Sequence, residues 1–497
     1  MILGIDLGTT NTSAAVIKNG KPVFVCTGYS KNDFLLPSVA ALTEKGKLIV
    51  GEKAKDMHSL KPESVIKSVK SLIGTNREVI LVNPRTRSKD LFSPIEISSK
   101  ILAEIKTLAE KQFKTKIQKA VITVPAYFND KARKDTIQAG EMAGLDVVRI
   151  INEPTAAALS YGVQNRKLKN SYIMVYDLGG GTFDISIIEI NGEVIEVIAS
   201  DGDRNLGGDN FDYSLFSYLF AVMEKNKKAD LRSMCTMAAL LNESEETKNK
   251  LSSLIKYKIC MPKHKFEQTV YREDLEKLIE PLLNKTLNHC KSVIARSTLK
   301  NKDIDKILLV GGSSRIPAVK EMLENELKIP VSQEIDPDLA VVTGAAIQAA
   351  IIEGNKVDSV LLDVAPHSLS IGCVFEKNGK KIPNYCSKII KKNTPVPCTV
   401  EEIFSTLKDD QDSVRIAVYQ GESDFEDENT LIKELKFDGL KAKKAGEAEI
   451  LVSFSYSLDG TINIKATEEG TKNKTSQKVE LLDKNRKRSS TKEATLH

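Results

Sequence analysis

One arrangement is used twice in this chain, and it constrains the fold more than any other feature. The first copy reads MILGI, Asp6, a Gly8-Thr9-Thr10 turn, an alternating strand from Ser13 to Lys18, and Asn19-Gly20. The second reads YIMVY, Asp177, a Gly179-Gly180-Gly181-Thr182 turn, a strand from Phe183 to Ile190, and Asn191-Gly192. In each, an apolar run of the kind buried on both faces delivers an aspartate to a glycine turn, and an Asn-Gly pair closes the next strand. Two such hairpins predict two similar lobes facing each other.

Around them, strands alternate with helical patterns. AVITVPAYF precedes a helix expected from Asp130 to Gly144, and KILLVGG precedes one from Ile316 to Leu327. That alternation predicts α/β lobes on mixed sheets. The charge-patterned stretch from 214 to 297 reads as an inserted, mostly helical subdomain with a strand-like break near Lys263 to Val270. Beyond Glu353 the composition changes. From Asp363 onward the pattern is all-β: Val414, Ile416 and Val418 alternate, then Ile450, Val452, Phe454 and Tyr456 run into Asp459-Gly460, and Ile462 and Ile464 return. Short strands of this kind predict a β-sandwich. The domain limits read from sequence are 1–353 for the α/β part, 354–363 for a linker, 364–483 for the sandwich and 484–497 for a disordered basic tail.

At 497 residues the chain is long enough for two or three cores. Its net charge of +5 is small for that length, and bases are intermixed with acids, which does not argue for nucleic acid. Seven scattered cysteines, none in a C-x-x-C pair, exclude a zinc ribbon or redox motif and fit a reducing, cytoplasmic setting. The amino terminus has no basic lead and carries Asp6 in its apolar run, so it does not read as a secretory signal. No apolar run is long enough to span a bilayer.

A glycine turn after a buried strand presents backbone N–H groups to phosphate oxygens without side-chain interference. Besides the two repeated turns, Gly207-Gly208-Asp209 opens a helix, and Gly311-Gly312-Ser313-Ser314-Arg315 follows the apolar strand Ile307 to Val310, where a nucleotide's sugar and base can lie. Opposed across a cleft, Asp6 and Asp177 can hold a magnesium ion through its waters. No G-x-x-x-x-G-K-[ST] occurs, which excludes a P-loop site.

The segments GIDLGTTNT, VITVPAYFND, INEPTAAALSYG, YDLGGGTFDIS, LGGDNFD and VGGSSRIP, with FSTLKDDQ and VYQGE further on, closely resemble the signatures of the seventy-kilodalton heat-shock chaperones. The resemblance covers nearly the whole chain and is nearest to the shorter HscC-like branch rather than the DnaK-like housekeeping type. It implies a multidomain α/β plus all-β architecture: an actin-like, ribonuclease H-like duplicated, two-lobed ATPase domain followed by a peptide-binding β-sandwich. The implied function is an ATP-dependent chaperone for short extended hydrophobic segments of unfolded polypeptides, with a J-domain co-chaperone and a nucleotide-exchange factor as partners.

The resemblance also implies roles for individual residues. Asp6, Glu153 and Asp177 would organise Mg2+ through waters, with Asp184 near the attacking water and in a potassium site. Gly8, Thr9, Thr10, Asn11, Gly179, Gly180, Gly181, Thr182, Gly207, Gly208 and Asp209 would cradle the phosphates of ATP or ADP. Lys70 in SVKSLIG matches the catalytic lysine, with Lys67 as the alternative register. Glu245, Lys248, Gly311, Gly312, Ser313, Arg315 and Asp338 would hold ribose and base. The residue after Lys248, often an arginine stacked on adenine, is here Asn249, which has no guanidinium plane to offer. As residues on a helix, Glu245 and Lys248 also read simply as an i, i+3 surface pair.

Pro125 and Arg133 match a proline switch and its relaying arginine, and Leu361, Leu362 and Asp363 a linker that docks with ATP and is released with ADP. Ile371, Val374, Phe404, Leu407, Val414 and Ile416 align with a peptide slot, although alternating apolar residues in strands usually face a core. Extended peptides suit such a slot because backbone hydrogen bonds supply affinity while one pocket selects a side chain. The β pattern stops near Leu482, and the polar run DKNRKRSSTKEATLH offers no lid helix. Fast peptide exchange even with ADP is therefore expected, and release slower than minutes would contradict it. Three other classes share parts of the pattern: a small-molecule kinase with the same doubled turns, an actin-like filament protein, and a nucleotide-binding scaffold without turnover. The linker and the β domain argue against the first two, and retention of Asp6, Thr9, Lys70, Glu153, Asp177 and Asp184 against the third.

Overall fold

The computed structural model describes residues 1–479 except 29, 31, 166–167, 169, 193, 226–232, 333, 356–359, 366, 378–379, 458–461 and 472; residues 480–497 lie outside the description. The expected Asp459-Gly460 turn and the polar tail fall among the residues left out. The chain divides into two compact units, Met1–His367 with Lys392–Pro395, and Ser368–Lys391 with the residues from Val396 onward.

In the first unit the repeat read from sequence is a repeat of topology. Ile2–Leu7 pairs antiparallel with Asn11–Lys18 and parallel with Lys119–Val124, which in turn pairs parallel with Asp146–Asn152. Ser171–Leu178 pairs antiparallel with Phe183–Asn191 and parallel with Lys306–Val310, which pairs parallel with Val331–Ser332. Lys21–Phe24 and Val194–Asp203 add the equivalent fifth strand on the other side of each sheet. In register, Asp6 faces Ser13 and Asp177 faces Asp184. The first hairpin turns on Asn19 and Gly20, both at positive φ (51° and 72°), the backbone that an Asn-Gly pair tolerates best.

Each sheet leads into a helix, Glu153–Gln164 after Asp146–Asn152 and Ala340–Ile352 after Val331–Ser332. The second of these is apolar on every side and almost wholly buried, as a helix enclosed by protein must be. It packs against Glu153–Gln164 so closely that a Cβ on Gly344 would lie 1.8 Å from the Ala156 carbonyl oxygen. Gly4 approaches the same helix, its missing Cβ 2.3 Å from the Ala346 nitrogen. The two halves of the repeat thus meet backbone to backbone.

The inserted segment begins earlier than the sequence pattern indicates, with the helix Gly208–Lys225, followed by Met234–Leu251 and Arg272–Arg296. Where one strand-like break is expected there is a two-stranded hairpin, Lys256–Met261 with Phe266–Tyr271. The exposed lysines of KYKICM conceal its alternation, in which Ile259 and Met261 are buried. Val360–Val364 continues the second sheet, pairing parallel with Val194–Asp203 so that Ile195 faces Leu361 and Glu196 faces Leu362.

The second unit contains two four-stranded antiparallel sheets. One runs Lys380–Ile390, Leu369–Lys377, Ser413–Gln420, Thr430–Asp438; the other runs Cys398–Ser405, Glu449–Tyr456, Ile462–Glu468, Lys474–Val479. Period-two alternation buries one face of each: Leu435 and Phe437 in the first, and Ile450, Val452, Phe454, Ile462 and Ile464 in the second. Among the described residues no helix is long and apolar enough to cross a membrane.

Candidate functional site

The four glycine turns converge on one cavity of about 380 Å³ in the first unit. The two repeated turns touch there. A Cβ on Gly180 would lie 1.9 Å from the Thr10 hydroxyl, and one on Gly181 would lie 2.7 Å from the Thr9 methyl. Gly179–Gly181 also anchors the other two loops: Gly208 N–H donates to Gly179 O (3.0 Å), Asp209 N–H to Gly180 O (2.6 Å), and Ser313 Oγ to Gly179 O (3.0 Å). Gly311, at φ 79°, passes within 2.5 Å of the Leu178 carbonyl as measured from its missing Cβ. On the opposite side, Ser38 Oγ donates to Gly8 O at 2.8 Å and holds the first turn.

Below the turns, the strand ends bring Asp6 and Asp177 together with Glu153, the first residue of its helix, and with Lys70. Lys70 is 3% exposed and ion-pairs with Glu153. Asp6 accepts a hydrogen bond from Thr123 Oγ1 at 2.8 Å. Burial, with Glu153 adding to it, pushes the Asp6 and Asp184 carboxyls up to about 7, and the same two causes hold Asp177 well above the ordinary range. Four acids around one ammonium are a strong demand for positive charge. Among the described residues no three are close enough to grip a bare metal ion directly. Separated carboxylates of this kind suit a divalent cation that keeps its waters, the form magnesium prefers. The residues present therefore fit a hydrated Mg2+ held through water.

Lys67, three residues before Lys70, is elsewhere. Ser68 between them takes a left-handed conformation (φ 56°), and Lys67 instead reaches Glu245 at 2.5 Å, 178 residues away in sequence. Ser68 Oγ donates to Asp209 at 2.5 Å. At the far end of the cavity Arg315 is held by Asp336 (2.7 Å) and by Asp338 (2.6 and 3.0 Å), with Asn249 also on the wall. Lys248 Nζ donates to Asp212 at 2.9 Å and to Gly208 O at 3.3 Å.

Of the residues singled out in sequence, Asp6, Gly8, Thr9, Thr10, Asn11, Lys70, Glu153, Asp177, Gly179, Gly180, Thr182, Asp209, Glu245, Lys248, Gly311, Gly312, Ser313, Arg315 and Asp338 line this one cavity. Gly181, Gly207 and Gly208 stand behind it as loop backbone, and Asp184 lies beside Asp177 in the sheet. Sequence reasoning missed Lys55, Ser252 and Asp212 on its wall. Asp212 carried a signal, an acid one helical turn after Gly208 and so on the same helix face.

Pro125 and Arg133 lie behind Glu153. Arg133 is buried and donates to Ala126 O (3.2 Å), Phe128 O (3.1 Å) and Asn152 Oδ1 (2.6 Å), while Pro125 O accepts from Phe128 N–H (3.1 Å). The same loop gives Tyr127 N–H to Asp184 at 3.3 Å. Leu361, Leu362 and Asp363 belong to the strand Val360–Val364, and their side chains lie outside the description. In the second unit Ile371, Val374, Val414 and Ile416 share one sheet, Phe404 is on the other, and Leu407 follows it in a loop. Ile371 and Ile416 are buried; Val374, Phe404 and Val414 are half-buried; Leu407 is exposed.

The model of the Hsp70 family, described as Hsp70 protein, matches residues 2–495. The chain belongs to the Hsp70 family. Among curated relatives it is similar to the chaperone protein dnaK of Cyanophora paradoxa, 38% identical over 496 residues that cover 95% of this chain and 78% of that protein. Hsp70 membership implies a two-lobed actin-like ATPase domain with a β-sandwich, and it supports an ATP-dependent chaperone that uses ATP or ADP with Mg2+. DnaK-like Hsp70 chaperones bind unfolded clients and co-chaperones.

Proposed function

We propose that the first unit hydrolyses ATP to ADP and phosphate, and that this drives cycles in which the second unit binds and releases short extended hydrophobic segments of unfolded polypeptide. The observation that carries the reading is the meeting of the two repeated turns above a buried group of carboxylates, with Lys70 among them. A hydrated Mg2+ would supply positive charge to the phosphates, held through water by Asp6, Glu153 and Asp177.

The chain's own residues do the rest. Thr9, Thr10, Thr182 and the turn amides fix the phosphate oxygens with donors already in place, which is most of what phosphoryl transfer asks of a protein. Lys70, locked by Glu153, neutralises charge as the terminal phosphate departs and orients the attacking water beside Asp184, a carboxylate that would also help to hold a potassium ion. Glu245, Lys248, Ser313, Arg315 and Asp338 hold the sugar and base. Pro125 and Arg133 connect the back of Glu153 to the linker, for which we retain the limits 354–363, and Ile371, Val374, Phe404, Leu407, Val414 and Ile416 form the peptide slot. A J-domain partner accelerates hydrolysis, an exchange factor removes ADP, and seven free thiols fit a cytoplasmic setting.

Single-turnover ATP hydrolysis with and without an extended leucine-rich peptide, on the chain and on Lys70→Ala, tests this. Slow hydrolysis that peptide stimulates and the substitution abolishes is the expected result. Fast, peptide-blind turnover points to a kinase-like site, and binding without turnover to a passive scaffold.

A further inference from the structure

Lys248 and Asp212 form a buried ion pair at 2.9 Å, with side chains 9% and 7% exposed, on the wall of the cavity. Lys248 comes from Met234–Leu251 and Asp212 from Gly208–Lys225, so the pair bolts one helix to the other. An ammonium has three N–H donors. Asp212 Oδ2 takes one and the Gly208 carbonyl, at 3.3 Å, takes another. Gly208 has to be glycine for this, since a Cβ there would lie 3.0 Å from Lys248 Nζ and 2.4 Å from Ser313 Oγ. Asp212 Oδ1 is buried without a hydrogen-bond partner. A buried carboxylate left half-satisfied is costly, and a surface-facing helix has no need of one. Burial pushes the Asp212 carboxyl up to about 6, with Lys248 pulling it down and Glu245 and Asp209 pushing it further up.

The position of the pair indicates what it meets. Gly208 N–H is bonded to Gly179 O in the phosphate-compatible turn, and Ser313 Oγ is bonded to the same carbonyl. Groups one step from the phosphate loops meet the part of a nucleotide covalently next to its phosphates, the sugar. Two other acids on this wall are each tied to the loop before Lys70, Glu245 to Lys67 and Asp209 to Ser68.

We propose that Asp212 is the positioning residue for Lys248: with Gly208 O it fixes two of the ammonium's donors and leaves the third aimed at a sugar hydroxyl oxygen of the nucleotide. This rests on the nucleotide reading above. Its consequence is that discrimination between ribose and deoxyribose depends on Asp212, a residue that does not itself touch the ligand.

The test is equilibrium binding of ADP, 2′-deoxy-ADP and 3′-deoxy-ADP to the full chain and to Asp212→Asn, with single-turnover hydrolysis at saturating ATP. The full chain is expected to prefer ADP over at least one deoxy analogue by about tenfold, the size of one charged hydrogen bond. Asp212→Asn is expected to bind ADP about tenfold more weakly and that analogue unchanged, with the saturated rate retained. Equal weakening for all three ligands, or none, overturns the proposal, because a merely structural role would not single out one hydroxyl. Should Asp212→Asn fail to fold, Asp212→Asn with Lys248→Met removes both charges and leaves no ion unpaired. That variant is expected to bind ADP and the deoxy analogues alike, and retained discrimination overturns the idea. If the unsubstituted chain binds no ADP, the nucleotide reading falls and this inference with it, an outcome distinct from binding without discrimination.

Discussion

Gly180 and Thr10 belong to the two repeated turns, and they lie so close that a single added carbon on Gly180 would overlap the threonine hydroxyl at 1.9 Å. Gly180→Ala therefore has to push the turns apart. It is expected to weaken ADP binding at least tenfold and to destabilise the chain by about 1–3 kcal/mol, the usual cost of overpacking. Gly20→Ala is the control: nothing lies within 4 Å of the added carbon, and only the positive φ of 72° is strained. That variant should lose about 1 kcal/mol and bind ADP normally. Calorimetric titration and a thermal melt on both variants decide it.

The carboxylates beneath the turns make a pH prediction. Asp6 and Asp184 are raised to about 7 by burial and by Glu153, so between about pH 4 and 7 the folded, ligand-free chain holds protons that the unfolded chain has lost. Stability from these groups is then full at low pH and falls as pH rises through 7. Asp6→Asn removes one of them, and should raise the melting temperature of the ligand-free chain by about 2–4 °C at pH 8 with no gain near pH 4. Melting curves of the two proteins across that range would contradict this if the gain were constant with pH.

Lys67 and Glu245, the latter on the cavity wall, form a partly buried ion pair. Lys67→Met is expected to speed ADP release by about two- to fivefold, in keeping with the worth of such a pair, and to make release less sensitive to salt. Stopped-flow displacement of a fluorescent ADP at two salt concentrations measures both. The single-turnover rate should stay where it was.

Arg133 satisfies three oxygens, those of Ala126, Phe128 and Asn152, and Asn152 immediately precedes Glu153. Arg133→Lys cannot reach all three with one ammonium. It should cost about 1–3 kcal/mol in stability. It should also leave basal hydrolysis within about twofold while removing stimulation by peptide. Stimulation that survives the substitution would remove Arg133 from the coupling route.

The doubled hairpin was legible because Asp6 and Asp177 each end an apolar run before a glycine turn, a pattern with few other uses. Burial makes such runs continuous, and continuity survives in sequence. The split between Lys67 and Lys70 was not legible. It depends on a left-handed Ser68, and a non-glycine residue gives no local sign of that conformation. Asp212 was passed over because an acid on an amphipathic helix reads as a solvated one, and only the packing of Met234–Leu251 beside it turns that face inward. The hairpin Lys256–Met261 was hidden by lysines that point to solvent at alternate positions.

The close approach of Gly344 to Ala156 and of Gly4 to Ala346 brings the two halves of the first unit into contact through peptide groups, inside a core that side chains fill. Peptide geometry is invariant, whereas side chains differ in length from one protein to the next. The spacing at those two contacts is thus referred to a gauge that the length of a side chain does not enter. Side chains lining the cleft are free to diverge, to Asn249 for example, while these contacts keep their spacing.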